Sequence, residues 1–190
     1  MATITDTILD RDTRSAYTAS DRAVSGERRA YQARHVLAVA RIALGWIFLW
    51  AFLDKTFGLG FATAPEDAWI NGGSPTSGFL NFATEGKTFH DFFAGLAGPA
   101  ADWLFMIGLL GVGLALMLGI GMWIAAISGS AMMLLMWAAE LPLENNPFMD
   151  DHIIYALLLI ALAIYGAGRT WGLGRTWESL PIIHKLPLLK

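Results

Sequence analysis

WLFMIGLLGVGLALMLGIGMWIAAISGSAMMLLMWAA, residues Trp103 to Ala139, contains no Asp, Glu, Lys or Arg. A single helix of about 37 residues would be roughly 55 Å long, against a hydrocarbon core of about 30 Å. The stretch therefore reads as two membrane spans joined by a tight turn, and Gly119-Ile120-Gly121 is the place to fold it.

Composition agrees. Hydrophobic residues make up 55% of the chain and charged residues 15%, below the roughly 25% charged of a soluble domain. The sequence contains no cysteine, which excludes disulfides, thiol redox catalysis, iron–sulfur ligation and c-type haem attachment in this chain. A net charge of −3, with the arginines explained by topology, gives no reason to expect a nucleic-acid partner. No secretory signal is apparent, because the first apolar run begins only near Val36.

Outward from the central stretch, the reading is an all-α integral membrane protein, a bundle of four transmembrane helices. The expected spans are about 36–53, 101–118, 122–139 and 151–168, with an outer loop of about 54–100. Residues 1–33, rich in Thr, Ser, Asp and Arg, read as a disordered polar cytoplasmic tail; 34–170 form the membrane domain and 171–190 a cytoplasmic C-terminal tail. Arg11, Arg14, Arg22, Arg28, Arg29 and Arg34 precede the first span, and Arg169, Arg175, Lys185 and Lys190 follow the fourth. The intervening outer segments hold only Lys55 and Lys87. Both termini are therefore expected in the cytoplasm. Arg41, in the first turns of the first span, is expected to snorkel to the headgroups.

Small residues predict the packing. Gly111, Ala115 and Gly119 recur at intervals of four, as do Gly121, Ala125 and Gly129. Such faces let helix backbones approach closely in lipid, so spans two and three are expected to pair through them. Gly111-Val112-Gly113 resembles a dinucleotide fingerprint, but no strand precedes it.

Polar residues gather at the outer edge. Trp46, Trp50 and Asp54 share a helix face with Lys55 adjacent, the third span stops at Glu140, and Asp150-Asp151-His152 opens the fourth. Ionisable groups at membrane depth are costly and often functional. Asp54, Lys55, Asp151 and His152 are the candidates for proton or substrate handling, with Trp50 as an apolar wall. The bland alternatives are helix capping by Asp150 or Asp151 and an interfacial Asp54–Lys55 anchor pair. A metal site from Glu140, Asp151 and His152 lacks fixed ligand spacing, and no metal is expected. The outer loop carries Asn71-Gly-Gly-Ser-Pro-Thr-Ser-Gly78 and the aromatic run Phe89-His-Asp-Phe-Phe93; it reads as a surface helix or as a lid over a lipophilic site.

Three blocks carry a family resemblance: Arg41-Ile-Ala-Leu-Gly-Trp-Ile-Phe-Leu-Trp-Ala-Phe-Leu-Asp-Lys-Thr-Phe-Gly-Leu-Gly60, Trp69-Ile-Asn-Gly-Gly-Ser-Pro-Thr-Ser-Gly-Phe-Leu80 and Asn146-Pro-Phe-Met-Asp-Asp-His-Ile-Ile-Tyr155. Together they resemble the DoxX/DoxD family of small prokaryotic membrane proteins. The resemblance implies a multi-pass subunit of the plasma (inner) membrane. For the DoxD branch it implies the large subunit of a thiosulfate:quinone oxidoreductase. A quinone is then the expected cofactor, with Trp50, Asp54, His152 and Tyr155 as candidate contacts and no haem or iron–sulfur cluster in this chain. The expected partners are the bilayer and either a membrane or extracytoplasmic redox subunit or further copies of the chain. The alternative is a non-catalytic scaffold that docks a redox enzyme or respiratory complex through its outer loop.

Overall fold

The computed structural model describes residues 4–186 and 189, with side chains from Val24 onward apart from His184. Among the described residues there is no strand. The helices are α1 (Ile4–Phe57), α2 (His90–Ala94), α3 (Pro99–Leu118), α4 (Met122–Ala139), α5 (Asp151–Ile164), α6 (Gly174–Glu178) and α7 (Pro181–Lys185). Between α1 and α2 lie two 3-10 turns, Pro65–Asp67 and Trp69–Asn71, and a π-helical turn, Gly78–Ala83. Val24–Phe57 of α1, together with α3 and α4, is long and apolar enough to cross a membrane, whereas α5 is apolar but only 14 residues long.

The chain divides into two units, Met1–Leu37 and Ala38–Lys190. In the first, the backbone is helical from Ile4 onward, where composition predicts a tail without periodic structure. No proline occurs before Pro65, and Ala and Arg are frequent around Gly26, so nothing local stops the helix. Within this unit Arg34 lies over the Tyr31 ring at 4.5 Å, and His35 Nδ1 donates to the Tyr31 carbonyl at 2.7 Å.

In the second unit, buried residues form one ridge per helix: Met106, Leu109, Val112 and Leu116 on α3, Ala125, Gly129 and Met133 on α4, and Ala156, Leu159 and Leu162 on α5. The opposite faces are equally apolar yet exposed, as at Leu104, Ile107, Ile127, Leu135, Leu157 and Ile164. Helices that are apolar all round but bury one ridge are built for lipid.

Gly119 and Gly121 both adopt left-handed backbone, with φ of 73° and 56°, and fold α3 onto α4 as the sequence predicts. The close-packing faces differ from expectation. Gly111 is exposed, and a Cβ there would meet nothing within 4 Å. A Cβ on Gly113 would instead sit 2.8 Å from the Leu49 amide nitrogen, and one on Gly45 would sit 2.9 Å from Leu116 Cβ. These glycines seat α1 on α3. Gly129 packs against Leu159 and Val112, so α4 lies closely on α5 as well as on α3.

Arg41 does not extend outward from the bundle; it is fully buried within the protein. Its Nη1 donates to the carbonyls of Leu116 and, at 3.1 Å, Met117. Its Nη2 donates to those of Thr170 at 3.3 Å and Trp171 at 2.9 Å. Burying a charge is costly unless it is compensated. Here the last carbonyls of α3 supply both acceptors and the negative end of the helix dipole. Glycines make room: a Cβ on Gly119 would fall 2.7 Å from the Gly168 carbonyl oxygen, and one on Gly172 would fall 3.2 Å from Arg41 Nη2. Helix α5 stops at Ile164, short of the expected 168, because Gly166 (φ 60°) turns the chain into this clasp.

Candidate functional site

Pro142 follows the end of α4 and bars its continuation, since proline has no N–H to donate. The connection to α5 then folds on its own side chains. Asn146 Oδ1 accepts from Phe148 and Met149 N–H at 3.2 and 3.0 Å, and the Trp137 indole donates to the Phe148 carbonyl at 2.8 Å. Asp150 ends the connection as the N-cap of α5. One oxygen accepts the Ile153 N–H at 3.3 Å and the other accepts His152 Nδ1 at 2.8 Å. With Nδ1 so engaged, Nε2 is the ring nitrogen left for other chemistry. Glu140, Asp150 and His152 each offer one ligand-type atom, all within 4.8 Å of one another and all half-buried.

The segment between α1 and α3 closes over this connection. The Thr88 amide donates to the Leu141 carbonyl at 2.8 Å, Lys87 Nζ donates to the Pro142 carbonyl at 3.2 Å, and Lys87 lies 3.6 Å from Glu144. Between them lies a cavity of about 460 Å³, with Lys87, Glu140, Glu144, Asn145, Asp150 and Asp151 among its walls. The residues flanking its lining at Ala83 and Met149, Phe82 and Phe148, are 74% and 62% exposed. The arrangement is thus a polar, acid-rich pocket.

The structure redistributes the residues expected to share one site. His152 joins Asp150 and Glu140, with Asp151 beside them at 3.8 Å from Nδ1 but its side chain 68% exposed. Asp54 is 2% exposed, and its carboxylate accepts the amides of Phe61 at 3.3 Å and Ala62 at 2.9 Å. Trp50 packs edge-on against Phe61 at 5.1 Å and also meets Trp46 at 5.7 Å. Both expected site residues therefore hold the turn that follows α1, and helical spacing alone could not distinguish that role. Lys55 is half-buried next to Asp54, and Tyr155 is half-buried one turn after His152. Lys87 and Glu144 are new members of the site, brought together by a loop contact with no sequence signature. A second buried carboxylate, Asp102, fixes the start of α3 to the loop by accepting from Ser74 Oγ at 2.8 Å and from Thr76 Oγ1 at 2.6 Å.

Among the described residues, Glu140, Asp150 and His152 bring together donor atoms of a type that can hold a divalent cation. Comparison with known proteins returns no matching family model, curated protein or solved structure.

Proposed function

We propose that this chain is a DoxX-like, four-span subunit of a quinone-linked redox system in a prokaryotic inner membrane, with the cavity beside His152 receiving the quinone head group. The observation that carries the reading is the Asp150–His152 hydrogen bond at 2.8 Å, set beside Glu140 at an acid-lined cavity. A bound quinone supplies two-electron, two-proton chemistry. Asp150 holds His152 in one orientation by accepting from Nδ1, which leaves Nε2 of the neutral ring to accept from a quinol hydroxyl. Glu140 and Asp150 accept protons from a quinol or return them to a quinone. The electrons come from an external donor or from a partner subunit's redox centre, since this chain has no cysteine to bind a cluster.

The fourth crossing is supported by how α5 is held. It begins beside Glu140, where α4 ends, and the chain after it packs Gly168 against Gly119, where α3 ends. Its 14 residues give only about 21 Å of helix, so the flanking turns complete the traverse. The Lys/Arg distribution supports cytoplasmic termini and, with them, a cavity on the outer side. Thiosulfate is disfavoured as a ligand of this cavity, because Glu140, Glu144, Asp150 and Asp151 oppose an anion and only Lys87 attracts one.

Exposed Phe61, Ile70 and Phe92 on the outer segment favour the second reading, a scaffold that docks a partner. Mass spectrometry of the gently solubilised protein separates the two. Retention of a quinone supports the redox reading; a stoichiometric partner chain with no quinone supports the scaffold.

A further inference from the structure

The segment after α5 is expected from composition to be a tail in water. We propose instead that residues 171–186 form a foot embedded in the headgroup layer of the bilayer, at the end of the bundle where α3 turns into α4.

Depth comes first. Helix α3 has 20 residues, about 30 Å of rise, enough to cross the hydrocarbon once. Its last carbonyl, Leu118, therefore marks a membrane boundary. The Leu173 N–H donates to that carbonyl at 2.8 Å. Arg41 holds the Thr170 and Trp171 carbonyls from the same bundle end, and a Cβ on Gly174 would lie 2.9 Å from the Gly119 carbonyl oxygen. Trp171 takes a left-handed φ of 52° to make this turn, a conformation that non-glycine residues seldom adopt. The start of the segment is thus pinned at the boundary.

Side-chain distribution comes second. Ile183 of α7 is 3% exposed, docked on the protein, while its neighbour Ile182 is 64% exposed. Helix α7 cannot hide Ile182 without withdrawing Ile183. Leu173 and Leu186 are likewise half or more exposed, and Arg175 and Lys185 are exposed among them. Apolar groups interleaved with basic ones fit the zone where acyl chains meet headgroup phosphates. The bond from the Leu173 N–H to the last carbonyl of α3 sets this face at the membrane boundary and makes the bilayer its occupant.

The test uses full-length protein in liposomes, with single cysteines at Leu173, Ile182 and Ser179 of this cysteine-free chain carrying spin labels. The expected result is that labels at Leu173 and Ile182 lose collisions with a water-soluble nickel complex and gain them with oxygen, whereas Ser179 shows the reverse. Equal nickel access at all three sites in protein of unchanged melting temperature would overturn the proposal. So would nickel protection at Ile182 that persists in lipid-free detergent with spin–spin broadening, which would assign the face to a second copy of the chain.

Discussion

Arg41 illustrates how a residue's type can be legible while its role is not. An arginine in the first turns of a span invites the snorkelling interpretation, because the side chain can usually reach water. The structure turns it inward, onto carbonyls that lie some 75 and 129 residues away in sequence at Leu116 and Thr170. No spacing rule reveals such a partner. Replacement by Met should leave buried carbonyls without donors, each costing about 1–3 kcal/mol. The Arg41→Met variant should therefore melt well below the parent in detergent, with Arg41→Lys intermediate. A Met variant as stable as the parent would remove the clasp from the account. Asp54 makes the complementary point. Its position on the Trp46–Trp50–Asp54 face was readable, but its two amide donors belong to a loop whose fold was not. Asp54→Ala should destabilise the turn at Phe61 and Ala62 by about 1–3 kcal/mol, measured by chemical unfolding, whereas cavity ligands should still bind the folded variant.

At the scale of the element, the existence of the apolar helices was legible, whereas the helical start of the chain and the facing of α3 were not. α4 coincides with its expected span and α3 begins only two residues early, at Pro99 rather than Ala101, because an uncharged apolar run bounded by Asp102 and Glu140 has few alternatives. Glycine, by contrast, occurs at 108, 111 and 113 of α3. A shift of one position rotates a helix face by about 100°, so a four-residue pattern starting at Gly111 chose the wrong stripe. The distinction has a direct consequence. Gly113→Leu should push α1 from α3 and lower the melting temperature, as should Gly129→Leu between α4 and α5, while Gly111→Leu should be tolerated. Comparable loss at all three positions would mean that the buried ridges are misassigned. Val112, 2% exposed against Gly129, also belongs to the sensitive set.

At the scale of the whole molecule, hydropathy gave the membrane class and the Lys/Arg distribution an expected topology, but neither told which polar groups converge. The site depends on the segment between α1 and α3 meeting the α4–α5 connection through Thr88 and Lys87, a contact between loops that composition cannot encode. Topology can be tested with cysteines at exposed positions. An impermeant thiol reagent applied to intact cells should label Glu85→Cys and Asn145→Cys and leave Ser179→Cys unlabelled until the membrane is opened. Labelling of Ser179→Cys on intact cells would place α5 and the C-terminus differently and remove the fourth crossing. Thr76 is a poor reporter, being buried against Asp102.

The central claim is that the cavity walled by Glu140 and Asp150, with His152 beside them, and not the Trp50–Asp54 face, receives a quinone head group. The most direct measurement is the affinity of a short-tailed quinone for purified protein in nanodiscs, compared between parent, His152→Ala, Glu140→Gln and Asp54→Asn, with the melting temperature of each. The account predicts that His152→Ala and Glu140→Gln each weaken binding by roughly tenfold to a hundredfold, the loss of a hydrogen bond to a charged partner at about 1.5–3 kcal/mol. It also predicts that Asp54→Asn binds as the parent does. Unchanged affinity in folded His152→Ala and Glu140→Gln, or loss confined to Asp54→Asn, would contradict it.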